Sequence, residues 1–90
     1  MIFTIIDSEV KISKFRELPY YLFTLLDDYE HKHFARLAAL EHTIKKFHKK
    51  NGIYFGDKEP FAKDYIGKII SAEIEDVQWA NRIIKNVRLV

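Results

Sequence analysis

The side chains able to do chemistry crowd into the middle of this chain. Residues 31–50 hold six Lys or Arg, one Glu and all four histidines. Histidine is the commonest protein ligand for transition metals, and metal-binding pairs on a helix sit four apart so that both imidazoles converge. No two of His31, His33, His42 and His48 have that spacing. Glu30 and His33 have the carboxylate–histidine spacing of helical-bundle metal sites, but such sites need a second copy from other helices, and the sequence offers none. His33 therefore reads as a partly buried packing residue, and His31 as a surface group near Asp27. No metal and no cofactor is expected.

Nucleophiles fare no better. The chain has no cysteine, and Ser8, Ser13 and Ser71 fall in turns or at caps, without the Gly-x-Ser-x-Gly elbow that exposes a nucleophile. Gly52, Gly56 and Gly67 are isolated, so there is no phosphate-cradling loop and no dinucleotide fingerprint. The acid pairs Asp27-Asp28 and Glu75-Asp76 read as helix-start charges. The sequence is accordingly not expected to be an enzyme. The one catalytic version it leaves open is a ribonuclease using histidines near lysines.

What remains is a basic segment. His42 to Lys50 contains four lysines, two histidines and no acid. On a helix, Lys32, Arg36, Lys46 and Lys50 fall near one azimuth, and Lys45 and Lys49 lie beside them. That stripe could follow phosphates, with Tyr54 stacking on unpaired bases. The competing explanation is solubility and favourable charge at a helix C-terminus.

The elements that must carry these residues come next. Ile2–Ile6 is β-branched and aromatic and reads as a strand, with Val10–Ile12 as a second short one. Pro19 suits the first position of a helix, and Leu18–Leu26 is apolar nearly all round. From Asp28 to Lys50 apolar residues recur at Tyr29, His33, Leu37, Leu40, Ile44 and Phe47, a sustained helical rhythm with acids at its start and lysines at its end. Asn51-Gly52 supplies a left-handed stop. Ile53–Phe55 is a further strand candidate. Residues from Glu59-Pro60 to 75 favour a helix, although Gly67 costs it about 1 kcal/mol and the β-branched residues keep a strand as the rival for 65–75. Asp76 caps a last helix, 77–86, and Val87–Val90 ends the chain as a strand. The expectation is an α+β fold in a single domain over residues 1–90: a small, mainly antiparallel sheet of two to four short strands, one long helix and two shorter C-terminal helices.

That long helix leads to a functional expectation. A compact domain of this size is about 30 Å across, whereas residues 28–50 as a helix span about 34 Å, and about 48 Å if the helix continues back to Pro19. The protruding apolar stripe would need a cover, most simply a two-fold partner. Tyr20, Tyr21 and Phe23 are the expected contact, with Trp79 as a further anchor. The leading expectation is a small homodimeric module that binds a larger protein, as an inhibitor or regulator. The alternative is an RNA- or single-stranded-DNA-binding protein using Lys32, Arg36, Lys45, Lys46, Lys49, Lys50 and Tyr54. Codon-level AT-richness (twelve Ile, eleven Lys, four Arg) and small size fit a phage accessory protein. The longest uncharged run, nine residues, falls short of the roughly 20 a membrane span needs, and the start lacks the basic leader of a secretion signal. A cytoplasmic, membrane-free protein is the expectation.

Overall fold

Alternation rather than helical rhythm organises this chain. The computed structural model describes every residue except Arg16, Asp57, Glu59 and Val90, and the side chains of the described strands except at positions 77, 79 and 83–86. Its elements are β1 (Ile2–Ile12), β2 (Pro19–Leu26), β3 (Lys32–Ala38), α1 (Glu41–Asn51), a 3-10 turn at Ala62–Tyr65, β4 (Ile69–Trp79) and β5 (Arg82–Leu89). The strands form one antiparallel sheet in the order β3-β2-β1-β4-β5. The fold is α+β, but five strands and one helix replace the expected long helix with two shorter ones behind it.

Each correction has a local cause. Pro19–Leu26 is a strand, because Tyr21, Phe23 and Leu25 point inward while Tyr20, Leu22, Thr24 and Leu26 alternate with them on a half-covered outer face. A run apolar on both faces carries no period, so it mimics a buried helix. The segment 28–50 splits in two. Asp27 accepts hydrogen bonds from the Tyr29 and His31 amides (2.8 and 2.9 Å) and turns the chain there. Lys32–Ala38 then pairs with β2, and the helix begins only at Glu41. Eleven residues make a rod of about 16 Å, so the protruding stripe does not exist, and the argument for a covering partner goes with it. Gly52 does end the helix in the left-handed region at φ 64°. Residues 53–55 form no strand, although Ile53 is buried. From Ile69 onward the rival reading prevails: β4 runs straight through Asp76, the expected cap, and reverses at Ala80-Asn81 into β5. The expected strand at 87–90 is the end of β5, with Val90 outside the described residues.

β1 is the central strand and belongs to both halves of the sheet. Its first residues pair with β4 (Phe3 with Ile70) and the stretch from Thr4 to Ile12 with β2. Between Ile5 and Asp7 the register to β2 slips by one residue. The inward set therefore changes from Phe3 and Ile5 to Ser8, as a β-bulge requires. The sheet curls until its two edges, β3 and β5, face each other across a groove lined by both. Inside sits an aromatic core. Tyr65 and Phe23 are fully buried, with ring centroids 5.1 Å apart, and Phe47 enters from α1 to lie 5.8 Å from Phe23.

Candidate nucleic-acid interface

The outer face of β2 and β3 collects the residues that the inner face cannot use. On β3, Ala35 and Leu37 turn inward, so Lys32, Phe34, Arg36 and Ala38 turn outward. On β2 the outward partners are Tyr20, Leu22, Thr24 and Leu26. Phe34 is 63% exposed, a large apolar ring kept in water. The Arg36 guanidinium lies over the Tyr20 ring at 5.3 Å, a cation–π contact across neighbouring strands. Tyr20 and Phe34 stand four residues apart along neighbouring strands, about 14 Å from one another.

One end of this face is closed by the β1–β2 turn. The turn is held by the Ser13 amide donating to the Leu18 carbonyl and the Glu17 amide donating to the Ser13 carbonyl, both at 2.9 Å. It presents Phe15 almost wholly to solvent, at 99% exposure. Phe15, Tyr20, Lys11, Lys14 and Arg36 line a common depression of 570 Å³. Lys11 also lies 3.6 Å from Glu9, so part of its charge is matched locally. The other end is fixed by Asp27. Its buried carboxylate accepts from His33 Nε2 at 2.8 Å as well as from the two turn amides. The His33 bond, aided by the amides and by nearby His31, holds the carboxyl below its ordinary range against the opposing effect of burial. His33 packs edge-on against Phe3, ring centroids 5.4 Å apart, which fixes the start of β3 and hence the placement of Phe34. His31 is exposed, 3.8 Å from the same carboxylate.

The remaining expected site residues distribute as follows. Tyr21 and Phe23 are core residues, 7% and 0% exposed, and only Tyr20 of that trio has surface to offer. Trp79 ends β4 opposite Arg82, and its side chain lies outside the described residues. Lys32 and Arg36 share the outer face of β3. On α1, Lys46 and Lys50 line a second depression with His42. Lys45 is tied to Glu41 at 2.8 Å, and Lys49 is exposed. Tyr54 follows the helix, 83% exposed. His48 faces away from His42, into the barrel, where it shares a 2.7 Å hydrogen bond with the Tyr65 hydroxyl. Burial lowers its pKa and raises that of Tyr65. His42 and His48 line different depressions, so these two helix histidines do not converge on one reacting group. Among the described residues no group of three or more His, Asp or Glu is placed to hold a metal ion, and no helix is long and apolar enough to cross a membrane.

No known protein family and no curated protein matches this sequence. The site must therefore be judged on its own chemistry. Sequence reasoning missed Phe15, Phe34, Lys11, Lys14 and Arg88. The signal for Phe34 and Arg36 was present as the alternation Phe34-Ala35-Arg36-Leu37, but it was hidden by reading the segment at helical period. Phe15 had none, since a single aromatic residue in a turn has no pattern to belong to.

Proposed function

We propose that this protein binds single-stranded nucleic acid across the outer face of β2 and β3. The observation that carries the reading is the pair of exposed rings, Phe15 and Phe34, with the half-buried outward ring of Tyr20 between them, accompanied by Lys11, Lys14, Lys32 and Arg36. Exposed rings offer stacking platforms to unpaired bases, and flanking cations neutralise the backbone. A duplex would hide its base faces from such rings, so the surface favours a single strand.

The strand order resembles that of the OB barrel, a five-stranded, partly open fold. That fold takes oligonucleotides over its second and third strands and its β1–β2 and β4–β5 loops. The analogy raises the expectation, while the residues carry it. The dimeric protein-binding module expected from sequence rested on a protruding helix and on Tyr21 and Phe23, which are now core residues. The nucleic-acid reading keeps Tyr20, Lys32 and Arg36 in use.

The test is Phe34→Ala, with binding followed by anisotropy of a labelled oligothymidylate of about 15 nucleotides. One lost stacking contact lowers affinity about 5- to 150-fold. Melting should be unaffected, because Phe34 contributes little to the core. Unchanged affinity in the folded variant, or binding by the parent protein that is indifferent to salt, would rule the reading out.

A further inference from the structure

We infer that the bound strand does not stop at Phe34 but turns over the free edge of β3 and continues along the groove between β3, β5 and α1. This rests on the reading that the β2–β3 face takes a single strand, and it assigns a second, phosphate-holding segment to Arg36, Arg88, Lys46 and Lys50.

The groove consists of two depressions, 820 Å³ and 500 Å³, that share Leu37, Thr43, Arg88 and Leu89 and so run into one another. The larger begins on the proposed face, at Leu22, Phe34 and Arg36. The smaller ends on the helix, at Lys46 and Lys50. These two lysines are one helical turn apart, so they stand on the same side of α1. Both are exposed, and neither is ion-paired among the described residues. Lys45, by contrast, is engaged by Glu41, which holds it away from the groove.

Charge complementarity selects the occupant. The two depressions are lined by four cations, Arg36, Arg88, Lys46 and Lys50, and one carboxylate, Glu73, which is paired with Arg88. Between the cationic rims the floor is apolar, formed by Leu37, Val87 and Leu89. A strand with regularly spaced phosphates and flat apolar bases suits that cross-section. Arg36 joins the two segments, because it lies over Tyr20 on the face and also lines the groove.

The proposal makes ligand length decisive. A fluorescein-labelled oligothymidylate of about 5 nucleotides occupies the face alone, whereas one of about 15 nucleotides also enters the groove. Lys46→Gln with Lys50→Gln should leave affinity for the short probe unchanged. With the long probe it should reduce the slope of log affinity against log salt by about 1.4, two phosphate contacts at about 0.7 each. Both lysines are exposed, and circular dichroism is the check that the variant folds. An unaltered slope with the long probe overturns the proposal, and so does equal loss on both probes. Phe34→Ala on the short probe tests the face separately. If that variant weakens the short probe and the lysine pair does nothing to the long one, the face stands and the groove falls. If the parent protein binds neither probe, both fall. Polyglutamate of matched charge competing as well as the long probe also overturns the assignment, since the groove would then answer to charge alone.

Discussion

Removing the ring of Phe47 should bring the whole protein down, not only the helix. Phe47 is the residue α1 buries, 3% exposed, with its ring centroid 5.8 Å from Phe23 and 6.3 Å from Tyr65. Truncating such a ring to alanine costs about 3–5 kcal/mol in transfer and cavity terms. A chain of this length has about 5–13 kcal/mol of stability in total. Phe47→Ala therefore removes between a quarter and nearly all of it, and lowers the melting temperature by about 12–40 °C. Urea denaturation followed by far-ultraviolet circular dichroism is the assay. Phe47→Leu, which keeps the burial and loses the ring stacking, should cost about 1 kcal/mol. The informative quantity is the denaturant slope, which scales with the surface exposed on unfolding. If helix and barrel share one core, the slope is unchanged while the midpoint drops. A loss below about 1 kcal/mol, or a reduced slope at an unchanged midpoint, would mean that the barrel stands without its helix and would refute this account of the core.

Two further outcomes follow from local chemistry. Burial depresses the pKa of His48 in the folded state, so its neutral form is favoured there. The associated stability is complete above the unfolded value of about 6.5 and is lost as pH falls through the lower folded value. Urea midpoints of the parent should therefore decline between about pH 7 and pH 5. They should do so less in His48→Gln, whose amide oxygen can still accept from Tyr65, and parallel declines would remove His48 as the source. Separately, Ala80 turns the β4–β5 hairpin at φ 53°, in the region that favours glycine. Ala80→Gly should raise stability by about 1 kcal/mol, and a lower melting temperature in that variant would show that the turn is not strained.

The sequence disclosed the strand types at both ends of the chain and the stop at Asn51-Gly52, and it concealed the middle. Ile2–Ile6 and Val87–Leu89 are β-branched or short enough to read directly. Tyr20 to Leu26 is Leu- and Tyr-rich on both faces, because one face fills the barrel and the other is half covered. Tyr29, His33 and Leu37 fell four apart by accident of a turn followed by a strand, and they joined smoothly to a real helical stripe at Leu40, Ile44 and Phe47. Only long-range pairing, Thr24 with Phe34 and Tyr21 with Leu37, separates the two, and no local window contains it. The site suffered the same loss. Lys32 and Arg36 share the outer face of β3, whereas the helical reading put them on one helix face with Lys46 and Lys50.

The single-residue slip in β1 has a consequence for how this surface can vary. The bulge absorbs one additional peptide unit, so the inward positions fall on odd residue numbers up to Ile5 and on an even one at Ser8. Lys11 stays opposite Tyr20, on the same side, because the slip takes up Ile6 without disturbing the pairing beyond it. A chain lacking Ile6 would pair Ile5 with Leu25 and Asp7 with Thr24 in unbroken alternation, and its hairpin tip would keep the same sides. A lost codon at that bend is thereby buffered, whereas the same loss further along β1, between Ser8 and Ile12, would exchange the two sides of everything beyond it.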